Sequence, residues 1–209
     1  MRLFHKNDLL KLESRYRANF INSLCGFKAL QLVGTKSSEG QPNLSLINSA
    51  IHLGANPPLM GYIQRPHTVE KHTFENILTT KIYTFSNVLN EYKVEAHQTS
   101  AKYPREVSEF EACGLEMAMT ESGMPYVKAA SLVMELELKS HYEIKENGTI
   151  LVVGEIQNIL LDDKFIFDDG TVNISALGSL AGVGLTGYAK VDEIVRYGYA
   201  KPNEKVKKL

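Results

Sequence analysis

The apolar residues near the start of the chain recur with a helical period. Leu9, Leu12, Tyr16 and Phe20 are separated by three or four residues, with charged side chains between them. This spacing is typical of one face of an amphipathic helix. The pattern therefore predicts a helix over residues 8–24, which ends before Gly26.

After this helix the chain changes to short apolar runs separated by turn residues. The runs are Phe27–Thr35, Asn43–Leu53 and Leu59–Gln64, and Gly, Pro, Ser and Asn are frequent between them. Three such runs in close succession predict a β-meander.

The later segments add one helix and more strands. Thr68–Leu78 is predicted to be a helix, with Thr68 or Thr73 as its N-cap. The further predicted strands are Lys81–Val88, Leu132–Lys139 and Thr149–Leu161, the last with Gly154 as a site of close approach. Glu146-Asn147-Gly148 is typical of a hairpin turn. The class is therefore mainly β, a barrel or sandwich with peripheral helices.

Composition and charge exclude several classes of protein. Of the 209 residues, 44% are hydrophobic and 22% are charged, as in ordinary globular domains and unlike disordered chains. The formal net charge of −1 leaves no overall basic field to hold a nucleic acid. No apolar window approaches the roughly 18 residues of a membrane span, and the N-terminus lacks the apolar run of a signal peptide. We expect a cytoplasmic protein that binds neither nucleic acid nor membrane.

The cysteines, the histidines and one glycine-rich string give little indication of chemistry. Cys25 and Cys113 lie in no ligand-spaced cluster, and we expect two reduced, mostly buried thiols. His67 and His72 lack a third ligand nearby, so no metal site is predicted. Residues 182–187 match the string GxGxxG, but no clear βαβ unit surrounds them.

One predicted strand carries small polar side chains among aliphatic ones. Ser45, Asn48 and Ser49 interrupt the apolar run of residues 43–50. A buried polar group without a partner costs roughly 1–3 kcal/mol, so these side chains require partners. Neighbouring strands or water could supply them, or a polar ligand could lie on this face. The sequence leaves both interpretations open.

A basic segment follows at the predicted helix start. Arg65, Lys71, His72 and Thr73 combine positive charge with hydrogen-bond donors. A helix N-terminus with such residues favours a phosphate group. The simpler alternative is a charged helix end that is exposed to solvent.

The order of these segments resembles that of a known family. The matching segments are Val33-Gly34-Thr35, Gly40, Asn43–Ser49, Asn56–Met60, Arg65, His72–Ile77, Lys81–Val88 with Asn87, and Glu155. Together they resemble the flavin reductase-like, FMN-binding domain, over roughly residues 17–200.

The resemblance implies a fold and a cofactor. It implies an FMN-binding split β-barrel with peripheral helices, formed by residues 1–209 as a single domain and assembled as a homodimer. Residues 1–16 would be a helical extension, and residues 201–209 a frayed basic tail. The implied FMN contacts are Ser45, Asn48, Ser49 and Ala50 at the ring and Arg65, Lys71, His72 and Thr73 at the phosphate, with Asn76 orienting the phosphate loop.

One departure from the family pattern concerns the electron donor. Many NAD(P)H-dependent members carry Gly-Asp-His where this chain has Glu146-Asn147-Gly148, and His141 is a poor positional substitute. We therefore expect flavin binding, with weaker support for reduction by NAD(P)H.

The leading hypothesis is an FMN flavoprotein oxidoreductase that reduces flavin or passes electrons to a small partner. The alternatives are an FMN-storage or pyridoxamine-phosphate-oxidase-like protein and a non-catalytic dimeric barrel for another phosphorylated ligand or a protein. Tyr188, Tyr197 and Tyr199 could cover the flavin ring or pack a dimer, but packing in the core is favoured.

Overall fold

The computed structural model describes residues 1–66 and 70–209 and is mainly β. Its strands are β1 (Phe27–Lys36), β2 (Pro42–Ala55), β3 (Pro58–Gln64), β4 (Ile82–Asn87), β5 (Met117–Met119), β6 (Pro125–Val127), β7 (Leu132–Ile144), β8 (Thr149–Leu161), β9 (Leu180–Val183) and β10 (Gly187–Lys190). Its helices are α1 (Lys6–Lys11), α2 (Ser14–Ser23), α3 (His72–Thr80), α4 (Lys93–Gln98) and α5 (Glu109–Ala112). In the described part of the chain, no helix is long and apolar enough to cross a membrane.

Six antiparallel strands close into a barrel in the order β1-β2-β3-β8-β7-β4, and β4 pairs back onto β1. The hairpin β9–β10 extends the sheet beyond the N-terminal half of β1. The predicted meander is β1-β2-β3, and the predicted mainly β class with peripheral helices is confirmed.

The core has two parts, which explains why β1 reads as a continuous apolar run. Val33 joins the cluster inside the barrel with Tyr62, Tyr83 and Phe85. Its neighbour Leu32 points to the opposite face and joins an outer cluster under α4 and α5. Successive strand residues face opposite sides, so a strand that is covered on both sides is apolar at nearly every position.

The barrel interior depends on one missing side chain. A Cβ atom at Gly154 would lie 2.2 Å from the hydroxyl oxygen of Tyr83, so glycine is required at this position. The predicted close approach at Gly154 is confirmed, and β8 has the predicted bounds.

The predicted helix over residues 8–24 is wrong in one respect, because it is two helices. Leu12 adopts an extended backbone conformation, and the Glu13 carboxylate accepts hydrogen bonds from the backbone N–H groups of Arg15 and Tyr16. Glu13 therefore caps a second helix, α2. Neither α1 nor α2 contains a buried residue.

Helix α3 starts later than predicted. It begins at His72, after Lys71, so Thr73 lies within its first turn and does not cap it. The proposed cap Thr68 and the nearby His67 lie outside the described residues. The helix ends at Thr80, and the next residue, Lys81, caps it in the left-handed conformation with φ 66°.

Three smaller expectations, on the cysteines, on two tyrosines and on the C-terminal tail, are corrected. Cys25 is exposed and Cys113 is half-buried, because Cys25 follows a surface helix. Tyr197 and Tyr199 are exposed and do not pack in the core. The GxGxxG string lies in the β9–β10 hairpin, so it does not begin a helix. The C-terminal tail pairs with the segment before it, since the backbone N–H of Gly198 donates to the Lys207 carbonyl over 2.9 Å.

Candidate functional site

A cavity of about 770 Å³ opens beside β2. Its walls come from β2, the end of β3, the start of α3, the segment from α4 to Glu109, and the β9–β10 hairpin. Seven of the nine site residues predicted from the sequence line it: Ser45, Asn48, Ser49, Arg65, Lys71, His72 and Thr73.

One wall of the cavity is an open strand edge. β2 pairs with β1 up to Ala50, whereas it pairs with β3 only from Ile51 onward. On the edge of β2 away from β1, two side chains accept backbone hydrogen bonds that a neighbouring strand would otherwise accept. The N–H of Leu44 donates to the Glu109 carboxylate over 2.9 Å, and the N–H of Leu46 donates to the Thr99 hydroxyl over 3.1 Å.

The polar side chains of β2 have different partners. The Ser49 hydroxyl donates to the carbonyl of Ile63 over 3.1 Å and accepts from the N–H of the same residue. Asn48 donates from Nδ2 to the carbonyl of Gly184 over 2.9 Å. The Ile63 backbone on β3 and the Gly184 carbonyl in the β9–β10 turn therefore satisfy these two side chains. This agrees with the simpler of the two interpretations of the sequence. Ser45 lines the cavity and is half-buried.

The basic end of the cavity lies where β3 ends and α3 begins. Arg65, Lys71 and His72 bring nitrogen donors to one rim, although the acidic side chain of Glu70 also lies there, 3.7 Å from the His72 ring. The backbone N–H of Lys71 donates to the Glu75 carboxylate over 3.0 Å, which fixes the start of the helix.

A buried polar network attaches this helix to the barrel. The Asn43 amide donates to the hydroxyls of Thr35 (3.2 Å) and Thr73 (2.9 Å). The Asn76 amide donates to the same Thr35 hydroxyl over 3.1 Å. All four side chains are buried, so the first turn of α3 is held rigidly against β1 and β2.

Two predicted site residues do not line the cavity. Ala50 packs in the interior cluster of the barrel. Asn76 lies beneath α3, where it positions the helix through Thr35. The role implied for Asn76, orienting the segment at the phosphate, stays a prediction.

Sequence reasoning missed most of the opposite wall. His97, Thr99, Tyr103 and Glu109 line it, and all fall in the segment of residues 91–113, which has no clear periodicity. Glu109 is buried, and this burial raises the pKa of its carboxyl group above its ordinary value, although the N–H of Leu44 opposes the shift. No local signal in the sequence indicates these residues, because α4 and α5 are only six and four residues long.

The turn that lacks the family histidine lies beside the basic end. Gly148 adopts φ 69°, and a Cβ atom there would lie 3.7 Å from the Cβ of Pro66. His141 is exposed on β7, and its ring lies 5.7 Å from the Phe74 ring. Among the described residues, therefore, neither this turn nor His141 supplies an imidazole to the cavity wall.

Comparisons with known proteins agree with this geometry. The model of the flavin reductase like domain matches residues 28–173. A split-barrel protein from Shewanella frigidimarina NCIMB 400, with a provisional flavin-reductase assignment, is 43% identical. It superimposes with a TM-score of 0.91 over 96% of this chain and 100% of its own.

Two more distant structures share the fold. Nitrilotriacetate monooxygenase component B from Bacillus cereus is 20% identical, with a TM-score of 0.79 over 93% of this chain and 97% of its own. Flavoredoxin of Desulfovibrio vulgaris (Miyazaki F) is 23% identical, with a TM-score of 0.69 over 85% of this chain and 92% of its own. The family match covers most of the chain and includes β2, β3 and α3, and it supports a flavin-related oxidoreductase. The chain belongs to the flavin reductase-like family.

Proposed function

We propose that the cavity binds FMN and that the protein is an FMN-dependent oxidoreductase. The observation that carries this proposal is the continuity of the cavity, which joins the open edge of β2 to the basic start of α3. FMN has the matching form, because a planar ring with polar edges is joined by a chain to a phosphate dianion.

The basic end fits the phosphate. Arg65 and Lys71 supply charge, Thr73 a hydroxyl and α3 the positive end of its dipole. Arg65 is exposed and Lys71 is half-buried, so both are accessible to a ligand from solvent.

The open edge of β2 fits the ring. The hydroxyl of Ser45 offers a donor, while Leu30 and Ile47 offer apolar contact. Bound flavin would supply the redox chemistry, and the protein would hold and orient it.

The turn at residues 145–148 indicates which electron donor is disfavoured. We infer that NAD(P)H reduces the bound flavin slowly, because the imidazole of the nicotinamide-using pattern is missing. The backbone favours glycine at this position, since a histidine at φ 69° would be strained. Rapid anaerobic bleaching of the bound flavin by NADH or NADPH would contradict this inference.

We further propose that the protein is a homodimer. The helices α1 and α2 bury no residue, and they leave Leu10, Tyr16 and Ile21 exposed. A helix pair of this kind gains stability only when its apolar face is covered, and a second copy would cover it. Light scattering should give a dimer mass that Leu10→Ser with Tyr16→Ser reduces. Val94→Ser, at an exposed position on α4, should not change the mass.

The test of the cofactor site begins with the visible spectrum of the purified protein and an FMN titration. Arg65→Ala with Lys71→Ala should raise the Kd for FMN at least about 100-fold, since each charge-assisted hydrogen bond contributes roughly 1.5–3 kcal/mol. The matched control is Lys128→Ala with Lys164→Ala, which removes the same charge at exposed positions outside the cavity.

The outcomes of this titration separate the hypotheses. An unchanged affinity in the Arg65/Lys71 variant would place the phosphate elsewhere. Absence of any FMN binding would favour another phosphorylated ligand, and FMN that no donor reduces would favour storage.

A further inference from the structure

Two side chains of the cavity that the cofactor proposal does not use form a hydrogen-bonded pair. Nδ1 of His97 lies 2.7 Å from the hydroxyl oxygen of Tyr188, and the two rings meet edge to face at 79°. His97 comes from α4 and Tyr188 from β10, and both line the cavity. The pair therefore joins two walls that are distant in sequence.

The start of α3 meets β2 at Asn43, whereas the pair lies farther along β2, beside residues 46–48. Thr99, two residues after His97, accepts the N–H of Leu46 on β2. On the other side, the β9–β10 hairpin that carries Tyr188 accepts the amide of Asn48 at Gly184. The pair thus flanks residues 46–48 of the open edge, where the proposed function places the flavin ring.

The hydrogen bond within the pair leaves one proton donor free in either tautomer. If the Tyr188 hydroxyl donates to Nδ1, then Nε2 of His97 carries the second proton. If Nδ1 donates to Tyr188, then the Tyr188 hydroxyl keeps its own proton for another acceptor. Burial raises the pKa of Tyr188, so its hydroxyl stays protonated at neutral pH.

We propose that Tyr188 and His97 form the proton donor of a second substrate site, which takes a small, neutral, conjugated carbonyl compound. The proposal rests on the proposed FMN-dependent function. The substrate is neutral because the apolar side chains of Leu30 and Leu185 line the same cavity. A carbonyl oxygen is the group that a free hydroxyl or imidazole donor would bind.

The chemistry balances with reduced flavin as the hydride source. Hydride forms a C–H bond at the β-carbon of the substrate, and the C=C and C=O electrons shift to leave an enolate oxygen. Tyr188 donates its hydroxyl proton to that oxygen and becomes a tyrosinate. Nδ1 of His97 gives its proton to the tyrosinate as Nε2 accepts a proton from solvent, so the imidazole stays neutral throughout. The enol product becomes the saturated carbonyl compound in water.

The experiment uses the FMN-loaded full chain, cinnamaldehyde as the probe, and the variants Tyr188→Phe and His97→Gln. The matched control is Tyr142→Phe, which removes a hydroxyl from an exposed tyrosine on β7. Three quantities are measured: the Kd of FMN, the Kd of cinnamaldehyde for the oxidised protein, and the anaerobic rate at which cinnamaldehyde reoxidises dithionite-reduced flavin in H₂O and D₂O.

We expect FMN affinity within about twofold in every variant, because the phosphate contacts are unchanged. Tyr188→Phe should lower the reoxidation rate about 100-fold, the scale of a lost general acid, and abolish the D₂O effect. It should also weaken cinnamaldehyde binding about tenfold, as expected for one lost hydrogen bond. His97→Gln should lower the rate less, because Tyr188 keeps its first proton.

The outcomes separate this inference from the proposed function. If FMN binds and Tyr188→Phe leaves both the rate and the D₂O effect unchanged, the proton donor is wrong while the cofactor site stands. A tenfold loss of binding with the D₂O effect retained would also overturn the donor role. If the unaltered protein binds no FMN, both proposals are overturned.

Discussion

The two ends of the cavity differ in charge and in how their residues are held. At the α3 end, Arg65 follows β3, and Lys71 and His72 lie at the start of a helix that a buried network fixes to the barrel. At the other end, a hydrogen bond joins the His97 ring on α4 to the Tyr188 hydroxyl on β10. One end is suited to a permanent anion and the other to a neutral group whose charge changes during reaction. The cavity is therefore polarised along the open edge of β2.

The largest effect is expected from breaking the network at the charged end. Thr35→Val keeps the shape of the side chain but leaves one Asn43 donor and the Asn76 donor without the hydroxyl they share. Two unsatisfied buried donors should cost about 2–5 kcal/mol in the free energy of unfolding. The measurement is urea unfolding. The control is Thr79→Val, because Thr79 is exposed and its hydroxyl donates to the Glu75 carbonyl within the same helix.

The same variant separates the two ends of the cavity. FMN affinity should fall with the displaced helix start, whereas the His97–Tyr188 pair should keep its geometry. Equal losses of stability in Thr35→Val and Thr79→Val would show that the network does not hold α3.

The second effect concerns the phosphate alone and uses two natural flavins. Riboflavin has the ring of FMN but lacks its phosphate, so the ratio of their dissociation constants isolates the charged end. We expect FMN to bind about 100-fold more tightly than riboflavin, equal to roughly 2.7 kcal/mol. In Arg65→Ala with Lys71→Ala this ratio should approach one, with riboflavin affinity unchanged. A ratio near one in the unaltered protein would remove the distinction between the two ends.

The sequence predicted the β2 end of the cavity far better than the opposite wall. Strands β1, β2 and β8 carry clear apolar runs bounded by turns, and the polar positions of β2 stand out against them. Ser45, Asn48 and Ser49 were therefore found from local pattern alone. Their partners were not, because Ile63 and Gly184 are 14 and 136 residues away along the chain.

The opposite wall has no comparable pattern. Short helices carry His97 and Glu109, and Thr99 directly follows one of these helices. Thr99 and Glu109 accept backbone hydrogen bonds from the edge of β2, which is distant from them in sequence. Glu109 shows the difficulty, since a glutamate in a polar stretch normally indicates a solvated surface. Only the folded barrel brings the Glu109 carboxylate to the N–H of Leu44, from which it accepts a hydrogen bond.

The smallest effect is expected from the charge of Glu109, which lies between the two ends. Burial raises its pKa in the folded protein, so the protonated carboxyl is favoured by folding. Its contribution to stability is present below the pKa of the unfolded chain and is lost as pH rises through the raised folded value.

Glu109→Gln keeps an oxygen to accept the N–H of Leu44 but cannot ionise. We therefore expect the stability of the variant, relative to that of the unaltered protein, to increase as the pH rises from about 4.5 to neutrality. Urea unfolding across this range measures the difference, with exposed Glu111→Gln as control. A difference that does not change with pH would mean that Glu109 titrates as it does in the unfolded chain. A difference that changes in the opposite direction would mean that the N–H of Leu44 and the nearby His72 outweigh burial, and that Glu109 is a fixed negative charge beside the proposed phosphate site.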